Sequence, residues 1–202
     1  TASSTLTTLI KISTVSSDKT RVRSESEFVL ELVRRTVRNS NPADVYTFNS
    51  LGVRKYNPDD NVIVDNVGAD LLGTYSNTLA ENISGNEIHF RPYGYDNWLC
   101  IGFFKSTKDE NMGYIVRTSA QSLVGQQQTC FDNGTGKYLI ALNSEIVNIT
   151  SFDIAYTVLK DANYLIRFDI DAQPPQRYLG AGAPVVREVH RQAVVSTEGI
   201  VW

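Results

Sequence analysis

Side chains suited to acid–base or metal chemistry are few: the chain has two histidines, His89 and His190, far apart and with no third ligand at a metal spacing. Metal sites and general-base mechanisms need His, Cys or carboxylate groups that converge. Both histidines are therefore expected in solvated or hydrogen-bonded structural roles. Asp169 and Asp171 lie two apart, so on a strand they share a face. Such a carboxylate pair can run glycoside hydrolysis or hold calcium when further oxygens converge. Phe168 and Ile170 alternate with it, which assigns the apolar pair to the buried face and leaves the aspartates in water. Asp59 and Asp60, in a turn, read the same way. No G-x-S-x-G occurs, and neither cysteine shows a sequence relation to a histidine that would activate a thiol. Gly180-Ala-Gly182-Ala lacks the third glycine of a dinucleotide loop and no phosphate-loop Lys follows it. Nucleophile, base and orienting group are not found together, so neither an enzyme nor a cofactor or metal site is expected.

Recognition chemistry is better represented. In FRPYGYDNW the rings of Tyr93, Tyr95 and Trp98 stand beside Arg91, Asp96 and Asn97, and Pro92 and Gly94 break the strand pattern. Exposed aromatics beside polar groups suit a sugar-binding or protein-binding loop, because flat rings supply contact area and polar groups supply direction. A loop packed over a sheet edge has the same composition. Trp202, in the final Ile-Val-Trp, is a further candidate interaction residue. Cys100 sits in the apolar run WLCIGFF and reads as a buried free thiol, with pairing to Cys130 left open. N-x-[S/T] sequons at Asn82, Asn133 and Asn148 would mark surface positions in a secreted protein.

These residues must be positioned by a chain of 202 residues, 42% apolar and 20% charged, enough for one globular domain with a substantial core. A net charge of −3 and a pI near 5.4 argue against a surface that wraps nucleic acid. Arg34, Arg35 and Arg38 cluster in one stretch and read as a solvated face. No apolar run reaches the length of a membrane span, and the polar opening TASSTLTT does not resemble a signal peptide. A start at Thr1 fits a mature product cut from a precursor, or a trimmed recombinant one.

Residues 1–20 carry Leu6, Ile10 and Ile12 at even positions among Ser and Thr, the pattern of an extended arm that can lie down as a strand. From Ser24 to Val37 two periods compete. Ser24 with Glu27 fits a capping box followed by a helix, whereas Phe28, Leu30 and Leu32 alternate as in a strand, and the Val content favours the strand. Short strands are expected in the stretch 43–60, closed by an Asn57-Pro58-Asp59 turn, and a short helix is expected around Val67 to Leu79. Glu87–Phe90, Trp98–Phe104, Tyr114–Thr118 and Tyr138–Leu142 read as strands. Phe152 to Val158 and Tyr164 to Ile170 alternate cleanly and form an antiparallel hairpin. After Pro174-Pro175 an extended tail, 173–202, leaves the sheet with apolar beads from Val185 to Trp202.

The expected fold is all-β: an antiparallel β-sandwich of jelly-roll type over residues 21–172, with one or two short helices and extended ends. In this layout the chain resembles the jelly-roll coat proteins of picorna-like RNA viruses, which share a Ser/Thr-containing N-terminal arm, about eight strands and long ends. The resemblance implies a subunit of an icosahedral capsid, located in the virion, whose partners are other capsid subunits and which has at most weak contact with genomic RNA, since no basic arm is present. The alternative is a secreted, extracellular carbohydrate-binding or other ligand-binding β-sandwich module that uses Tyr93, Tyr95 and Trp98.

Overall fold

The computed structural model describes residues 2–48, 54–65, 84–118, 131, 139–158, 164–175 and 188–196. The chain opens with one long helix, α1 (Ala2–Arg38), of 37 residues. Strands follow in the order β1 (Ser40–Phe48), β2 (Arg54–Asn57), β3 (Val62–Asp65), β4 (Ser84–Gly85), β5 (Glu87–Pro92) and β6 (Leu99–Ser106). The remainder are β7 (Gly113–Thr118), β8 (Leu139–Ala141), β9 (Asn148–Val158), β10 (Tyr164–Gln173) and β11 (Val189–Ser196).

The extended arm and the strand expected before Pro42 are both replaced by α1. Val22, Ser26, Val29, Leu30, Val33 and Val37 are buried while Phe28 is 61% exposed, a pattern that only a 3.6-residue period produces. The β-propensity of the valines is overridden because this stripe can bury five apolar side chains, each worth about 1.5–3 kcal/mol. Ser24 and Glu27 lie in the interior of the helix and cap nothing. At the helix end, Arg35 and Arg38 complement the negative pole of the dipole.

Two sheets take up the described strands. The larger has seven strands in the order β1-β5-β6-β2-β3, with β7 also pairing β6 and β8 pairing β7; the smaller is β11-β10-β9-β4. Neighbours are antiparallel except β2 and β6, which meet in parallel at Lys55↔Lys105 and Tyr56↔Ser106. The expected hairpin of β9 and β10 is present, with Phe168 opposite Ile154 and Ile170 opposite Phe152. Beyond that pair Ile149 faces Ala172 while Ser151 faces Asp171, so Thr150 is an extra residue. This bulge lets both odd-numbered Ile149 and even-numbered Phe152 point inward. The tail does not leave the sheet: Pro174 and Pro175 end β10, but Val189–Ser196 returns as β11 and pairs with β10 along its whole length. Trp202 and the short helix expected at 67–79 lie outside the described residues.

One core joins α1 to the inner faces of both sheets through Val33, Ile88, Phe90, Ile101, Ile154 and Phe168. A second lies on the opposite face of the larger sheet, where Tyr56, Trp98, Cys100, Phe104, Tyr114 and Phe131 pack together. The larger sheet is thus covered on both sides, which is why WLCIGFF and GYIVRT contain apolar residues in both phases.

Candidate functional site

α1 packs into the core through Val22, Val29, Leu30, Val33 and Val37. Val22 is the first residue with a buried side chain among those described, and from Thr7 to Arg21 the described side chains are exposed or, at Val15 and Asp18, half-buried. At 1.5 Å per residue, the part before Val22 forms a stalk about 30 Å long. Leu9, Ile10 and Ile12 are 59%, 58% and 60% exposed on it. Lys11 is the only charged residue among the first seventeen. Hydroxyls along the helix turn inward: Thr14 donates to the carbonyl of Ile10 at 3.0 Å and Thr20 to that of Ser16 at 2.9 Å. Such back-bonding uses up the hydroxyl donor and leaves a less polar surface. The helix is anchored lower down, where the Glu25 carboxylate accepts hydrogen bonds from the backbone N–H and the hydroxyl of Ser144.

The aromatic loop divides. Tyr93 and Tyr95 are each 63% exposed, whereas Trp98 is 6% exposed, belongs to the second core and lies 5.5 Å from the Tyr46 ring. Trp98 is therefore a packing residue, because its strand phase aims it at the covered face with Cys100. The two tyrosines flank Gly94, whose φ of 79° is the left-handed value the turn requires. The Tyr93 N–H donates at 2.9 Å to the carbonyl of Asn39, the residue after α1, tying the turn to the helix end, and the Tyr95 N–H closes the turn on the Pro92 carbonyl at 3.1 Å. Between turn and helix lies a cleft of about 390 Å³ lined by Arg35, Thr36, Asn39, Pro92, Tyr93, Tyr95, Asn97 and Leu99. Sequence reasoning found its tyrosines but missed Arg35 and Asn39, because the helix that brings them there was read as a strand.

The outer face of the smaller sheet gathers Asp153, Asp169, Asp171 and His190. The His190 Nδ1 is 2.8 Å from Asp171 Oδ1, and Ser151 Oγ donates to Asp171 Oδ2 at 2.8 Å. Gln192 Nε2 and Arg167 Nε each donate to Asp169 at 2.7 Å. This order is serine, carboxylate, imidazole, so the hydroxyl gives its proton toward the carboxylate and no base stands ready to activate it. Asp153 faces Asp169 across the ladder. Desolvation on the sheet face, followed by the charges of Asp169 and Asp171, holds its carboxyl above the usual aspartate range. Among the described residues no group of three or more His, Cys, Asp or Glu side chains could hold a metal ion.

The other histidine is interior. His89 and Glu87, both 0% exposed, meet with Nε2 2.5 Å from Oε1, and the imidazole stacks obliquely on Phe48 with centroids 4.4 Å apart. Arg54 is buried as well. Asn148, read as a sequon, is also buried: its Oδ1 accepts the Gly113 N–H at 2.9 Å, a position closed to glycosylation in the folded protein. Asn82 and Asn133 lie outside the described residues. Cys100 is disulfide-bonded rather than a free thiol. The sequence's other cysteine, Cys130, is not among the described residues.

No helix among the described residues is long and apolar enough to cross a membrane. No protein-family model, curated protein or solved structure matches this chain.

Proposed function

We propose that this protein is a structural assembly subunit, a β-rich head on a helical stalk whose free part packs against stalks of other copies. The observation that carries this reading is the stalk itself. Most helical stability in proteins comes from tertiary packing and not from propensity, and Thr, Ser, Ile and Val are poorer helix formers. A helix that stands alone in solvent needs charged pairs along its surface. Across residues 2–17 of this one Lys11 is the single charged residue, among Ala, Ser, Thr, Leu, Ile and Val, a surface suited to lateral packing.

A jelly-roll capsid is the closed-shell form of this proposal, with other capsid subunits as partners. The projecting stalk favours bundles or fibres, since a long helix carried on one side of a head packs most readily side by side with others.

Ile12→Cys tests the reading, with Thr107→Cys on the head as control. Mild oxidation is expected to give disulfide-linked dimers through residue 12 and none through residue 107, and native mass with negative-stain imaging is expected to show multimers. A monomeric protein with no crosslink at residue 12 would overturn the proposal. Closed particles crosslinked only through the head would overturn the stalk as the contact.

A further inference from the structure

We propose that the cleft between the last turn of α1 and the Pro92–Asn97 turn binds an acidic sugar, one or two uronic-acid rings, independently of assembly through the stalk. Its walls are already in place. Tyr93 and Tyr95 are 63% exposed on a turn whose backbone is hydrogen-bonded to the end of α1, so their flat faces are displayed with little ordering left to do on binding. Aromatic faces of this kind suit the apolar C–H face of a pyranose ring.

The polar groups give the ligand its sign. Arg35 Nε is held by Glu31 Oε1 at 2.7 Å, which orients the guanidinium, while its two Nη atoms have no partner among the described residues. Guanidinium groups pair with carboxylates through parallel hydrogen bonds. The amides of Asn39 and Asn97 line the same cleft, and among the described residues no carboxylate does. A volume of about 390 Å³ is at the small end for ligand sites, which suits one or two sugar rings and not an extended peptide.

Calorimetric or NMR titration of the intact protein with a uronic-acid disaccharide, its neutral hexose counterpart and a Glu-rich tetrapeptide tests this. The uronate is expected to bind about tenfold more tightly than the neutral sugar, the effect of one good directional contact. Arg35→Gln should erase that difference, and Tyr95→Ala should weaken both sugars by about tenfold. Both side chains are exposed, and circular dichroism with a thermal midpoint verifies the fold of each variant. Absence of uronate binding at millimolar concentration, equal binding of the two sugars, tighter binding of the peptide, or indifference to both substitutions would overturn the proposal. Multimer size, measured on the same samples, is expected to be unchanged by either variant, so failure here leaves the stalk reading standing and failure of the stalk reading leaves this one.

Discussion

A methyl group on residue 113 would have no room: a Cβ there would lie 2.2 Å from the Ile149 carbonyl oxygen and 2.4 Å from the Phe103 ring. Gly113 is a point of close approach between the two sheets, and its N–H donates across the gap to Asn148 Oδ1 at 2.9 Å. Nearby, Asn143 accepts from the Ile115 N–H and donates to the carbonyls of Gly113 and Val147, so a second buried amide ties the same region. Gly113→Ala is expected to lower stability by about 3 kcal/mol, the upper part of the overpacking range, because backbone on one side and a packed ring on the other leave little to relax. Urea unfolding measures it, and a loss below about 0.5 kcal/mol would contradict the close approach. Nothing in the sequence distinguished this glycine from the others. Asn148 was legible only as a sequon, and the fact that opposes modification, its hydrogen bond to a residue 35 positions earlier, is tertiary. Trp98 misled for a related reason: it neighbours an exposed turn in sequence, yet strand phase sends it to the covered face.

At the scale of elements, strands were legible where turns punctuated them. Asn57 forms the expected turn, its Oδ1 accepting from the Asp59 N–H at 3.1 Å and its Nδ2 donating to Asp60 at 2.7 Å. The β9–β10 hairpin followed from clean alternation, which also set Asp169 and Asp171 on the outer face. The helix was legible only as one of two competing periods over Ser24 to Val37, because its residues prefer strands and the packing of Val22 to Val37 on both sheets decides between them. The return of β11 was hidden as well, since the prolines that end β10 give no sign of re-entry. Register across β9, β10 and β11 has an electrostatic consequence. Asp153 has a raised pKa in the folded protein, so the unfolded chain releases this proton first as pH rises. Its ionised form therefore lowers stability above the folded-state pKa, and the cost disappears below the unfolded value. Asp153→Asn is expected to raise the thermal midpoint by about 1–2 °C at pH 7, a small effect because the side chain is exposed and screened, and to change nothing near pH 3. An advantage that grew as pH fell would reverse the assigned sign.

At the scale of the whole molecule, the division between stalk and head makes stability and assembly separable. From Val22 onward the helix belongs to the core, and before it the described side chains are exposed apart from half-buried Val15 and Asp18. Deleting residues 1–17 would start the helix at Asp18, whose carboxylate can cap the new N-terminus and complement the helix dipole. Val22, Val29, Leu30, Val33 and Val37 would keep their contacts, as would Glu25 with Ser144. The truncated protein is expected to unfold within about 2 °C of the full chain at a concentration where both are monomeric, since none of the described side chains removed is fully buried. At higher concentration the two should diverge. Self-association stabilises the folded state by mass action, so the full chain's midpoint should climb with protein concentration while that of the head stays level. Parallel slopes would mean that the head carries the contacts between copies. A head that melts far lower at every concentration would mean that residues 1–17 stabilise the fold itself. The predicted pattern, equal midpoints when dilute and a concentration-dependent gap that vanishes on truncation, is the one that a stalk used only between molecules produces.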